Sequence, residues 1–214
     1  MKKLLIIFSF MLFYFPLLKA QEKTERKQFP YSNRFSIQTG LLQDILLNGQ
    51  NIVLTYTTQR LVVDWSHGNS LDFNSGHHFK NNEGYNTQRL DVKMPWTTGP
   101  SIGYRITPFF NVRAEFKAHR NKLMYENTNT SIVSYTTYTV GLGAFYSWYP
   151  FRKKNNWLDG ICIEPVIRFW PTVGSSLTDN YHYENKLTGE RERIEPYKLG
   201  WLANINIGYT FGGR

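Results

Sequence analysis

From residue 34 onward the chain alternates apolar and polar side chains with a period of two, the repeat of an extended strand whose two faces meet different surroundings. The clearest stretch runs over 138–148. Tyr138, Val140, Leu142, Ala144, Tyr146 and Trp148 share one face, and Thr139, Gly141, Gly143, Phe145 and Ser147 share the other. Aromatic groups at both ends of an aliphatic middle suit a strand that crosses a lipid layer, and the two glycines leave room on the opposite face. The preceding strand keeps Phe110, Val112, Ala114, Phe116 and Ala118 on one face and Asn111, Arg113, Glu115, Lys117 and His119 on the other. Closed into a barrel, that charged face must point into the lumen, where ions have to pair. Asp64, Arg105, Glu164 and Arg168 stand at equivalent polar positions of other strands, so Asp64, Arg105, Arg113, Glu115, Lys117, Glu164 and Arg168 are expected to form a lumen charge network. Pro165 and Pro171 fall on the apolar face of their strand, and a bulge or kink is expected there.

Eight such strands can be drawn, over 34–42, 51–57, 60–66, 98–106, 109–120, 132–148, 160–170 and 199–211, the fifth open to running on to 126. The connections test this count. One end has the short turns 58–59 and 107–108 with the 149–159 connection, and the other has 43–50, 67–97, 127–131 and 171–198, which include the two longest. Long and short connections alternate as in an up-and-down barrel with an even strand number. A ten-strand version, with further pairs inside 79–90 and 181–193, is the alternative. Eight strands enclose space just wide enough for their own side chains, which argues against a general porin.

The first twenty residues break the pattern. Lys2 and Lys3 precede an apolar run over 4–18, and Lys19-Ala20 offers a cleavage point, so residues 1–20 read as a signal peptide, residues 21–33 as a flexible periplasmic lead-in and residues 34–214 as the barrel. The apolar run is short for a span, which needs about 20 residues. Cys162 is the single cysteine, so no disulfide forms within the chain. The formal charge of +9 falls to +6 when Lys2, Lys3 and Lys19 leave with the leader. On an exported chain this excess favours contact with anionic lipid or polysaccharide over nucleic acid. Aromatic content of 16% beside a hydrophobic total of 41% fits a wall that is apolar on alternate residues only.

The terminal strand places Ala203, Ile205, Ile207, Tyr209 and Phe211 on one face and Leu202, Asn204, Asn206, Gly208 and Thr210 on the other. Ile205-Asn206-Ile207-Gly208-Tyr209-Thr210-Phe211 resembles the closing strand of the small Gram-negative outer-membrane β-barrel family, of OmpA/OmpX-type architecture. A Gly212-Gly213-Arg214 tail after the aromatic departs from that pattern. The resemblance implies an all-β, antiparallel, up-and-down transmembrane barrel in the outer membrane, without catalysis, whose closing strand is read by the barrel-assembly machinery. It also implies periplasmic termini, a monomer, and outer-membrane lipid and lipopolysaccharide as surroundings. The lipid-facing set is then Tyr138, Val140, Leu142, Tyr146, Trp148, Ile205, Ile207, Tyr209 and Phe211.

Candidate chemistry is sparse, and no catalytic, cofactor or metal residue is assigned. His67, His77 and His78 lie near Asp72 and Glu83 without zinc-site spacing. Asp64, Ser66 and His67 contain the parts of a triad, but strand geometry points His67 away from the other two. Ser175, Ser176 and His182 share the last long connection, and His119 lies near Glu115. A rim-located lipid A deacylase or acyltransferase is therefore one alternative function, and a soluble lipocalin-like binder is another. The last long connection carries Asp179, Glu184, Lys186, Glu190, Arg191, Glu192, Arg193 and Glu195 with Tyr181, Tyr183 and Tyr197 interleaved, which reads as a solvated hairpin tip or a binding surface.

Overall fold

The computed structural model describes residues 33–73, 85, 87–152 and 156–212. The leader 1–20, most of the lead-in, His77, His78, Glu83 and the first part of the proposed 79–90 pair lie outside the described residues. The strands are β1 (Arg34–Gly40), β2 (Gln50–Thr57), β3 (Leu61–Phe73), β4 (Leu90–Arg105), β5 (Phe110–Tyr125), β6 (Ser131–Tyr146), β7 (Ile161–Phe169), β8 (Thr172–Ser175), β9 (Tyr181–Glu184), β10 (Arg191–Ile194) and β11 (Trp201–Phe211). A short helix α1 (Leu41–Leu47) follows β1, and a 3₁₀ turn (Trp157–Gly160) precedes β7.

Every barrel pairing is antiparallel, in the order β5-β4-β3-β2-β1-β11-β7-β6, and β5–β6 pairing closes the ring. β7 and β8 are one barrel strand: both pair with β6, in the same register from Leu142↔Phe169 to Thr139↔Thr172, before a one-residue shift. The barrel therefore has eight strands. Residues of 181–194 do form a hairpin, β9–β10, but as a separate two-stranded sheet that adds nothing to the wall.

Proline effects are local. Pro165 stays within β7, facing outward opposite Ile205. On its other side the ladder lapses between Phe145↔Val166 and the Trp148↔Ile163 bridge, because proline has no N–H to give. The strand itself breaks at Trp170-Pro171.

Three boundaries differ from the sequence reading. The first strand stops at Gly40, and 41–47 is helical where a strand end and a loop were expected. Asn48 terminates α1 in the left-handed conformation, φ 49°. Gly40 offers no capping side chain, and Asn204 on β11 accepts from the Leu42 N–H instead, at 3.1 Å. β3 and β4 run well beyond 66 and 98, to Phe73 and from Leu90. Both change phase near Ser70 and Pro95: inward positions are Asp64 and Gly68 before the change but Leu71 and Phe73 after it, with Ser70 at φ 56°. The β4–β5 register shifts between Lys93 and Trp96 at the same level.

The ring closes at the β1–β11 seam, with Phe35 opposite Phe211 and Gln38 opposite Gly208. A Cβ at Gly208 would strike the Ile37 carbonyl, whereas one at Gly174 meets nothing nearer than 3.9 Å. Gly208→Val is therefore expected to lower the midpoint of thermal unfolding in detergent, followed by circular dichroism, while Gly174→Ala leaves it nearly unchanged.

Candidate functional site

The sequence places a charge on the inward face of β3, β5, β7 and their neighbours, and a closed wall obliges those charges to find their partners inside the barrel. Arg113, 1% exposed, donates from Nη1 to Asp64 at 2.9 Å, from Nη2 to Glu164 at 3.0 Å and from Nε to Asn111 at 2.7 Å. Its guanidinium lies 3.8 Å from the Phe145 ring centre, which fills the room left by Gly143. Asp64 also accepts from Ser101, and Glu164 from Ser147 at 2.7 Å.

One step further along the barrel, Arg168 donates to Glu115 at 3.2 Å and Trp170 Nε1 donates to the other Glu115 oxygen at 2.6 Å. The Lys117 ammonium donates to Ser66 Oγ at 2.6 Å and to the Gly99 carbonyl at 2.8 Å. Three cations (Arg113, Lys117, Arg168) thus stand with three carboxylates (Asp64, Glu115, Glu164), and all six are buried. Arg105 is buried too but serves another purpose. It donates to the Thr58, Gln59 and Pro108 carbonyls and ties two turns together at the end where the chain termini lie. There a void of about 20 Å³, bordered by Arg34, Arg105, Tyr149 and Glu164, has the size of a single water.

Above the ionic layer, at the end away from the termini, the inward face becomes apolar. Leu71 and Phe73 of β3, Val92 and Met94 of β4, Leu123 and Tyr125 of β5 and Tyr135 of β6 pack with Leu47 of α1 and with Tyr183 and Ile194 of the β9–β10 hairpin. Tyrosines pin this cap. Tyr135 Oη accepts from the Tyr197 N–H at 3.0 Å and bonds to Tyr85 Oη at 3.1 Å, while Tyr85 donates to the Glu195 carbonyl at 2.6 Å. Burial pushes the Tyr85 and Tyr197 hydroxyls well above the usual phenol range, so both stay neutral and Tyr85 keeps the proton it donates. The sequence reading missed this core because it lies past the phase change in β3 and β4.

The nine residues assigned to lipid lie on the outer face of the wall. Tyr138, Val140, Leu142, Trp148 and Phe211 are exposed, and Tyr146, Ile205, Ile207 and Tyr209 are partly covered by outward neighbours. Phe35, Leu54, Val63, Ile102, Phe116 and Ile167 continue the same surface on other strands. Outward aromatics pair at two levels: Tyr209–Phe211 and Phe109–Tyr146 near the termini, Phe116–Tyr138 and Phe169–Trp201 toward the far end.

Two of the catalytic groupings do not assemble. Asp64 and Ser66 face inward and are held by Ser101, Arg113 and Lys117, while His67 faces outward. His119 is fully buried between Thr97 and Thr139 hydroxyls at 2.8 and 2.9 Å, and Glu115 is engaged by Arg168 and Trp170. Ser175 Oγ and Ser176 Oγ accept from the Leu177 and Thr136 amides. Cys162 is buried and accepts from Gln38 at 3.3 Å. Among the described residues no group of three His, Cys, Asp or Glu side chains could hold a metal ion. Comparison with family models, with curated proteins and with solved structures gave no match.

Removing the Arg113 side chain strands two buried carboxylates. Arg113→Ala is expected to destabilise the barrel by about 3–5 kcal/mol. Arg89→Ala, which breaks an exposed pair with Glu126, is expected to cost less than about 1 kcal/mol. Denaturant unfolding of the two variants in the same detergent checks the contrast, and equal small losses would mean that the inner face is hydrated.

Proposed function

We propose that the mature chain is an integral outer-membrane β-barrel of the small OmpA/OmpX-type architecture, with a structural or surface-interaction role and no catalysis. The observation that carries this reading is the inverted polarity of the wall. Charged and amide side chains fill the inside, while aliphatic and aromatic groups stand exposed on the outside of every barrel strand from β1 round to β11. A water-soluble lipocalin-like barrel needs the opposite arrangement, because contiguous exposed apolar surface on this scale drives association in water. Lipid is the solvent that suits it, and the aromatic pairs at two levels suit the two interfaces.

In this reading the termini are periplasmic, the long connections are extracellular, and residues 1–20 are removed after export. The outward Phe211 at the closing seam is what the assembly machinery engages. The ionic layer and the apolar cap plug the lumen, so the protein does not conduct solutes, and recognition falls to the far-end surface. There the exposed Glu184, Lys186, Leu187, Glu190 and Arg191 surround the hairpin tip. The engagement of Asp64, Ser66 and His119 by other side chains inside the barrel speaks against a lipid-modifying enzyme.

The folded protein is expected to fractionate with outer membranes, to resist carbonate extraction, and to migrate faster on an SDS gel before boiling than after. Leu142→Arg, at the most exposed aliphatic site of β6, is expected to weaken insertion by about 2–4 kcal/mol if it lies near the bilayer centre. Release by carbonate, or no change with Leu142→Arg, would overturn the membrane reading. A lipid A mass spectrum altered by expression of the protein would reinstate the enzymatic one.

A further inference from the structure

At the end away from the termini, the outward apolar surface of β5 and β6 stops at Phe116 and Tyr138, whose rings stack with centroids 6.3 Å apart. β4, β5 and β6 continue past that edge. The next outward row, about 7 Å further along the strands, sets Trp96 opposite Arg120 and Arg120 opposite Thr136. The row after it sets Lys93 opposite Lys122. Met94, Thr97, Asn121 and Leu123 are the buried inward residues here, so Lys93, Arg120 and Lys122 face outward, each partly exposed.

Three cations therefore root in one small area. Register partners on adjacent strands have Cβ atoms about 5 Å apart, and same-face neighbours along a strand are about 7 Å apart. Like charges directly opposite each other destabilise a sheet, so the Lys93–Lys122 pair has a cost that an anion between them would remove. Local carboxylates do not offset the cluster. Asp72 of β3 stands opposite Lys93, which leaves three cations to one carboxylate in these two rows. Asp91, next on that face of β4, is buried and accepts from the Asn127 N–H at 3.0 Å, and Glu126 pairs with Arg89. Among the described residues Lys93, Arg120 and Lys122 enter no ion pair, and the Arg120 guanidinium donates to Thr136 Oγ1 at 3.4 Å.

A cation cluster on the rim of an apolar belt fits an amphiphile whose anionic groups sit directly above its chains. Under the outer-membrane reading, on which this step rests, the far end faces the outer leaflet. Lipid A, the acylated base of lipopolysaccharide, carries phosphates at that level. We infer that Lys93, Arg120 and Lys122 form a lipopolysaccharide-binding site on the outer wall. A lipid A phosphate accepts from the guanidinium and the two ammonium groups, and the acyl chains lie along Phe116, Tyr138 and Val140. Trp96, beside Arg120, is the amphipathic aromatic suited to the boundary between the two.

Native mass spectrometry of the full mature protein in detergent tests the site with three lipids: bisphosphorylated lipid A, the same lipid A stripped of its phosphates, and phosphatidylglycerol. Retention of the bisphosphorylated form is expected to exceed that of either other lipid about tenfold, the scale of one charge-assisted hydrogen bond. The triple variant Lys93→Gln, Arg120→Gln, Lys122→Gln is expected to lose this preference. A control triple, Arg89→Gln, Lys186→Gln, Arg191→Gln, removes the same charge from exposed positions and is expected to keep it. None of the six residues is buried, so both variants should stay heat-modifiable. Lys122→Gln alone, which breaks the opposed lysine pair, is expected to weaken the preference in the same direction. Equal retention of lipid A with and without phosphates, equal retention of phosphatidylglycerol, or equal losses in the two triple variants would overturn the site. Flotation with phospholipid vesicles is read in parallel. A chain that floats but shows no phosphate preference loses the patch and keeps the membrane reading, whereas a chain that does not float loses both.

Discussion

Arg113 is enclosed by a wall of eight strands, and the rest of the barrel is arranged so that this one charge is never without partners. Its two carboxylates come from β3 and from β7, its supporting amide from its own strand, and the ring beneath it from β6. Those groups meet only if β3, β4, β5, β6 and β7 keep their registers at once. A slip of one residue on β5 would turn Arg113, Glu115 and Lys117 into the outer surroundings and bring Val112, Ala114 and Phe116 inside. The ionic layer thus specifies the fold as much as it stabilises it. Buried ion pairs are weak contributors to net stability but severe penalties when broken, which is the profile of a register lock.

The inside of the barrel is stratified, and the order of the strata follows from the wall. Where all eight strands surround the interior and their outer face is apolar, the inner face holds the balanced ions and the threonine hydroxyls around His119. Past the short β1–β2 rim the enclosure is incomplete. The longer strands β3–β6 turn leucine, methionine and tyrosine inward there, and α1 and the β9–β10 hairpin close over them. Tyr135, Tyr85 and the 195–197 backbone knit that lid to the wall through polar contacts, so the last long connection is a packed element whose charges, apart from Glu192 held by Tyr183 and Asn185, point away from it.

Strand number, antiparallel order and the two faces of the wall were legible in the sequence because a period of two is a direct consequence of the pleat, and because charges such as Arg113 and Glu164 have only one tolerable side in a closed barrel. The partners were less legible. Arg105 alternates like Arg113, yet it lies at the rim where turn carbonyls are the nearest acceptors, and nothing in its spacing distinguishes the two settings. The apolar cap was hidden by Ser70 and Pro95, since one left-handed residue and a register shift invert the meaning of every later position. α1 was hidden by its length: seven residues with apolar groups on both sides fit a strand end as readily as two turns of helix, and only the Asn204 and Asn48 contacts at its ends decide the matter.

The low β1–β2 rim has a physical consequence for any bilayer around the barrel. On β6 the outward apolar run from Tyr138 to Trp148 spans 11 positions, which at roughly 3.3 Å per residue and about 45° of tilt covers the roughly 25 Å of an outer-membrane hydrocarbon band. On β2 the corresponding run, Ile52 to Tyr56, covers only about half that height by the same geometry. A bilayer meeting so uneven a belt must thin locally or be met by further apolar surface. Under the proposed outer-membrane reading, the exposed Ile45 and Leu46 on α1 would supply that surface where the strands give out. A helix filling a step in the wall, rather than another strand, cannot complete the hydrogen-bonded ladder beneath it. The break in the ladder therefore falls where α1 crosses the ends of β1 and β2.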